Sequence, residues 1–207
     1  MSEQREESRI IRIPSSDAPE VVSVLWESFF DYPVMRHVLR DSGLDYAQQL
    51  QQLIGLFVSA RALRDDVMLG IKHGGELVAV VTTSNPADTP HPDFAPLRDQ
   101  VWHALGADAL ARYQQYVTAW EAMATHVPQL HVNMIGVRRA FQRSGLARQL
   151  LNEVHEMAKR SPSVTGVSLT TEDERNVPLY QRHGYQIIGE TQIAPGLKTW
   201  SFFRPNA

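Results

Sequence analysis

Not one cysteine occurs in the 207 residues, which excludes disulfides, thiolate metal sites and a cysteine nucleophile together. Long apolar runs are also missing. Nothing approaches the roughly 20 residues that a membrane-spanning helix needs, so no membrane partner is expected. The opening residues, MSEQREES, lack the apolar stretch of a signal peptide and read as a flexible tail over 1–8. The expected compartment is cytoplasmic. An excess of positive charge is absent: Lys+Arg 20 against Asp+Glu 23 give a formal charge of −3, which argues against a nucleic-acid partner with its need for a broad basic face. No HExxH or comparable ligand spacing is found, so no metal is expected. Repeats and low-complexity segments are lacking as well. What is left is the composition of an ordinary globular protein, with a length that suits one domain over 9–207.

The hydrophobic pattern along that domain changes period several times. RIIRIP (9–14) alternates as a strand and stops at Pro14. A helix follows, with Asp17 as N-cap candidate, Pro19 in its first turn, and Val21, Leu25 and Phe29 at helical spacing. Residues 45–63 repeat that spacing through Leu50, Leu53, Ile54, Phe57 and Val58. Two β-rich runs joined at Gly74-Gly75 make a hairpin over 67–85. A proline-rich loop then leads into a helical insertion, 86–128, carrying Trp102, Tyr113, Tyr116 and Trp120. It is a packed insertion or one wall of a substrate cleft. Strand 130–137, helix 145–160, strand 163–171, a short helix 176–184 and a second hairpin complete the chain. Antiparallel hairpins around one βαβ unit predict an α+β fold, a mixed sheet with helices on its faces.

Two stretches carry the chemistry. In RRAFQRSGLARQLL (138–151), Gly145 stands where a β-branched run gives way to a helix, with Arg138, Arg139, Arg143 and Arg148 around it. A helix that starts at a tight glycine turn offers unpaired backbone N–H groups and a dipole that favours an anion. In ERNVPLYQRHGY (174–185), Asn176 and Tyr180 lie four residues apart, on one face of the short helix. Either residue taken alone reads as an N-cap or as core.

A strand ending in IGV, then QRSGLA opening a helix, then ERNVPLYQRHGY resembles the GNAT superfamily of acetyl-CoA-dependent N-acetyltransferases. The resemblance implies a mostly antiparallel sheet splayed between strands 130–137 and 163–171, with acetyl-CoA in the gap. It implies that the pyrophosphate is held by backbone N–H groups of Arg143, Ser144, Gly145, Leu146, Ala147 and Arg148. It implies that the pantetheine pairs with Ile135 and Val137, with Gly136 between them, and that the Ile135 amide polarises the thioester carbonyl. Asn176 would hold the cofactor arm, and Tyr180 would be the acid that protonates the departing thiolate. Ser144 stands where arginine or glycine is usual in the family, and Ala147 replaces a common glycine. A catalytically degenerate acyl-CoA-binding protein is therefore the alternative reading, and an interaction scaffold using 97–123 a third.

The implied reaction is direct transfer of acetyl to an amine acceptor in a ternary complex. An ammonium with a pKa of ~10.4 must lose a proton before it attacks, so a base should stand near it. Period-2 alternation predicts His131, Asn133, Ile135 and Val137 on one face, which makes His131 the first candidate. Glu172 and Asp173 are its rivals, with a solvated loop beside Arg175 as their plainer role. Acceptor specificity is expected in residues 29–46 and 86–128. The acceptor itself is not named by any motif, and a monomer and a homodimer are both compatible with the sequence.

Overall fold

Strand and helix follow one another in nearly the order the periodicities predict, in a computed structural model that describes residues 9–40, 46–125 and 127–206. The tail expected over 1–8 lies outside the described residues. The strands are β1 (Ile10–Arg12), β2 (Met68–His73), β3 (Glu76–Ser84), β4 (Leu130–Val137), β5 (Gly166–Thr171), β6 (Gln186–Ala194) and β7 (Leu197–Pro205). They form one sheet in the order β1-β2-β3-β4-β5-β7-β6. Every neighbouring pair is antiparallel except β4 and β5, which pair in parallel as expected of a βαβ unit. The helices are α1 (Ala18–Phe29), α2 (Pro33–Leu39), α3 (Tyr46–Leu63), α4 (Phe94–Leu105), α5 (Ala107–Glu121), α6 (Leu146–Arg160) and α7 (Val177–Arg182).

Alternation along the strands divides the core between the two faces of the sheet. Met68 and Val80 join Leu25, Leu50, Leu53 and Ile54 under α1 and α3, whereas Leu69 and Val81 join Leu150, Val154, Leu169 and Phe202 under α6. Each such fully buried side chain contributes roughly 1.5–3 kcal/mol, and the fold has two layers of them.

Two details differ from the sequence expectations. The sequence reading assigns no helix after Phe29, yet Pro33 opens α2, at the first helical position, where its missing N–H is no loss. Asp17 occupies the N-cap position of α1, yet its carboxylate makes no capping bond and accepts from the Ser16 hydroxyl at 3.0 Å instead.

Two irregularities in β4 shape everything that follows. Thr82 pairs with Met134 but Thr83 pairs with Val132, so Asn133 is an extra residue in a β-bulge. The bulge reverses the alternation: Val132 packs on the α6 side, Met134 on the α1 side. The second irregularity is the end of pairing with β5. Register runs through Leu130↔Val167, His131↔Ser168 and Val132↔Leu169 and then stops, while β5 stays with β7 as far as Thr171↔Trp200. The sheet is splayed open from Asn133 onward.

Candidate active site

The gap opened by the splay is the floor of a cleft of about 1100 Å³ that runs from the start of α6 to the insertion helices. Its first wall is the turn before α6. Arg143 and Gly145 adopt φ of 63° and 85°, so the chain coils tightly and the helix starts at Leu146. A left-handed φ strains any residue with a Cβ, which is why glycine fits position 145. The Gln149 N–H bonds the Gly145 carbonyl, so the N–H groups of Leu146, Ala147 and Arg148 precede the first intrahelical acceptor. They face the cleft together with the positive end of a helix of 15 residues.

The four arginines of this stretch divide into two pairs. Arg138 donates to Glu27 at 3.0 Å, and Arg139 donates its backbone N–H to the same carboxylate at 2.6 Å and its guanidinium to Asp31 at 3.1 Å. These two clamp the end of β4 to α1, so they do not surround the turn as the sequence suggests. Arg143 and Arg148 are exposed and line the cleft. Ser144 turns its hydroxyl back onto the Phe141 carbonyl, away from any role of an arginine side chain.

The second wall is β4 itself. The Arg138 N–H bonds the Val78 carbonyl of β3, so by alternation the main chain of Ile135 and Val137 points the other way, into the gap. The Val137 carbonyl accepts from the Ser28 hydroxyl at 3.0 Å and from Gln142 at 3.2 Å, which leaves its N–H facing the gap. At Gly136 the neighbouring helix comes very close: an added Cβ would stand 2.7 Å from Ser28 Oγ and 2.9 Å from its Cβ. The shared face expected for His131 and Ile135 is not observed. The bulge at Asn133 turns Ile135 and Val137 toward the α6 side, and His131 toward α5, where its ring meets Trp120 at 5.8 Å.

His131 is buried, and its Nδ1 shares a hydrogen of 2.8 Å span with the Ser168 hydroxyl. Burial, with the Arg61 charge added, pushes the imidazole down to about 4, so it is neutral at pH 7. The larger departure from expectation is Glu172. It is not in a solvated loop: it is 6% exposed, accepts from the Thr199 hydroxyl at 2.8 Å, and burial pushes its carboxyl up to about 7. Three phenols stand near enough to feel its charge: Tyr32, Tyr116 and Tyr180. Asp173 takes the role expected of a loop residue, bonded to the Arg175 guanidinium at 2.7 Å.

Thr171 organises this end of the cleft. Its Oγ1 meets the Tyr32 hydroxyl at 2.9 Å and accepts from Asn176 Nδ2 at 3.2 Å. Asn176 belongs to a 3₁₀ turn, Glu174–Asn176, just ahead of α7, and it lines the cleft with Tyr180 as the four-residue spacing predicts. The Tyr180 ring packs 5.6 Å from Phe202 and 5.9 Å from Tyr185, and its hydroxyl has no bonding partner among the described residues. Burial and the neighbouring Glu172 raise it well above an ordinary phenol, so it stays protonated, as a weaker acid than an exposed tyrosine.

The far wall is apolar and aromatic. Phe57, Trp102, Tyr113, Tyr116 and Trp120 line it, so the insertion is a wall of the cleft as well as a packed unit. Tyr32 and Tyr116 fall in the regions 29–46 and 86–128 where acceptor specificity is expected, but their closeness to Glu172 is not foreseen, and neither is Arg61. The signal for Arg61 was present. It falls on the apolar stripe of α3, four residues after Phe57 and seven after Ile54, where a cation is out of place.

The family profile described as an acetyltransferase (GNAT) domain matches residues 107–201. The fold is shared with a histone acetyltransferase HPA2-related protein from Corynebacterium glutamicum at 17% identity, covering 97% of each chain, TM-score 0.69. A polyamine N-acetyltransferase from Drosophila melanogaster is similar at 16% identity, covering 95% of this chain and 98% of its own, TM-score 0.63. The PaiA N-acetyltransferase of Thermoplasma acidophilum, solved with coenzyme A, is similar at 12% identity, covering 95% and 98%, TM-score 0.55. Residues 107–201, which carry both sequence motifs, match the acetyltransferase (GNAT) domain, and the splayed sheet beneath them is the fold shared with these acetyltransferases.

Proposed function

We propose that this protein transfers the acetyl group of acetyl-CoA to a primary amine, by direct attack within a ternary complex. The observation that carries the reading is the continuity of one cleft. It begins at unpaired main-chain donors, passes the free edge of β4 and ends at a buried carboxylate among phenols. The coenzyme A bound to the Thermoplasma neighbour and the N-acetylagmatine formed by the Drosophila enzyme support the two substrate classes.

The residues suit that cargo. The Gly145 turn, with Arg143 and Arg148 beside it, would take the pyrophosphate on the N–H groups of residues 143–148. The gap-facing main chain of Ile135 and Val137 would pair with the amide-bearing pantetheine arm, and the Ile135 N–H would polarise the thioester carbonyl. Asn176 would hold the same arm from the opposite side.

Glu172 takes the proton of the attacking amine. A carboxyl near 7 is about half ionised at neutral pH, and it is matched to the task better than an imidazole near 4. His131 faces the same chamber and serves as a neutral acceptor on the proton's path. As the N–C bond forms, the C–S bond breaks and Tyr180 donates its hydroxyl proton to the sulfur. Calorimetry with acetyl-CoA, followed by a thiol assay over an amine panel, tests the reading. Binding with CoA release supports it. Binding with no turnover on any amine shifts the assignment to an acyl-CoA-binding protein, and no binding ends it.

A further inference from the structure

The acceptor end of the cleft holds a cation that the proposed chemistry leaves idle. Arg61, in the last turn of α3, lines the chamber with a side chain only 17% exposed. Its one ionic contact is from Nε to Asp66 Oδ2 at 3.2 Å, and that approach is too poorly aligned to be a hydrogen bond. The same oxygen already receives two bonds from Arg64, from Nε at 3.1 Å and from Nη2 at 2.5 Å. Two largely covered guanidinium groups therefore share one carboxylate, which leaves one positive charge without an acid of its own. The two terminal nitrogens of Arg61 have no hydrogen-bond partner among the described residues. Its Nε is buried without a hydrogen-bond partner, and its terminal nitrogens stay open to the cleft, where a ligand can take them.

The surroundings add to the case. A third arginine, Arg98, also lines the cleft, exposed and paired with Asp99 at 2.9 Å. Among the described residues lining the cleft the only carboxylates are Glu172 and Asp173, and Asp173 is taken by Arg175. A di- or polycationic acceptor would meet Arg61 without an acid to offset it. The planar fork of a guanidinium matches a planar carboxylate through two parallel bonds. The rings of Phe57 and Trp102, which also line the cleft, pack against Tyr113 at 5.7 and 4.7 Å.

We infer that the acceptor is an amine that also bears a carboxylate, of the amino-acid class, with its amine at Glu172 and its carboxylate on the terminal nitrogens of Arg61. The inference rests on the acetyltransferase reading for the amine end and on Arg61 alone for the acid end.

The test compares acceptors that differ by one carboxylate: L-arginine with agmatine, L-lysine with cadaverine, L-phenylalanine with phenethylamine. In at least one pair the acid should exceed the decarboxylated amine by about tenfold or more in kcat/KM, since a site built for a polar group rejects the analogue that lacks it. Arg61→Gln should narrow that ratio at least about tenfold, mainly by raising KM for the acid, and Arg61→Lys should restore only part of it. Each ratio is taken within one preparation, so partial misfolding of a variant does not move it. Decarboxylated amines preferred in every pair, or a ratio unmoved in Arg61→Gln, overturns the inference while leaving the transferase standing. If acetyl-CoA binds but nothing is acetylated, the transferase reading fails by itself. Calorimetry of the same acids on the CoA-loaded protein then decides: binding weakened by Arg61→Gln upholds the acid site, and no preference for acids overturns it.

Discussion

At the scale of single residues, Glu172 makes the sharpest claim, because its environment fixes a pH. As a base it works only when ionised, so kcat should climb through a limb near pH 7. Glu172→Gln should remove that limb and lower the rate by about 10²–10⁴. Had His131 been the base, the limb would sit near 4, where its neutral form appears. The same burial has a stability sign. The folded carboxyl titrates near 7 and the unfolded one near 4.5, so the folded state holds the extra proton between those values. Stability therefore falls as pH rises through that window, by a few kcal/mol at most. Glu172→Gln, which keeps an acceptor for Thr199, should raise Tm at pH 8 and change it little at pH 4. A variant with lower Tm at both pH values would contradict the buried-charge account. Tyr180→Phe is the complementary test on the acid: a drop of about 10²–10⁴ in turnover with acetyl-CoA affinity kept. An unchanged rate would take the phenol out of the reaction.

Elements rather than residues decide where those groups stand. The turn into α6 should answer to Gly145→Ala, which places a Cβ at φ 85° for a strain of roughly 1–2 kcal/mol. The altered turn should weaken acetyl-CoA several-fold by calorimetry, with the rest of the helix intact by circular dichroism. On β4, Gly136→Val has no room against Ser28 and Leu25 of α1 and should lower stability by about 1–3 kcal/mol in a denaturant titration. If it melts with the unaltered protein, α1 does not pack as closely as described. The element order was legible in the sequence because the chain's period changes cleanly from strand to helix. The turn at Gly145 and the pairing of Asn176 with Tyr180 were legible because both are local. The bulge at Asn133 was not, since HVNMIGV alternates equally well with or without an extra residue, and only pairing with Thr82 and Thr83 chooses. The burial of Glu172 was hidden for a related reason. Thr199, Tyr32 and Tyr116, which enclose it, come from three distant parts of the chain. Arg138 and Arg139 look like ligand residues until Glu27 of α1 and Asp31 of the turn after it are brought to them.

On the scale of the whole molecule, the cleft is also the seam of the sheet. The halves β1–β4 and β5–β7 are joined along strands by three residue pairs, between β4 and β5. Seven further positions of those two strands face the gap or run beside it without a partner across it: residues 133–137 on β4, and Thr170 and Thr171 on β5. A ligand that pairs with the free edge of β4 therefore does more than occupy a site. It replaces the missing ladder and ties the halves together. Acetyl-CoA at about 100 times its Kd should add roughly 2.7 kcal/mol, which for a chain of this size moves Tm upward by about 5–10 °C. Hydrogen exchange should then slow at the amides of Ile135 and Val137, whose N–H groups point into the gap, and much less at Gly136, already turned toward β3. Unfolding without ligand should be one transition if the two halves form the single domain expected over 9–207. Two separate transitions, merging when acetyl-CoA is added, would show instead that three pairs are too few to couple the halves and that the substrate itself completes the sheet.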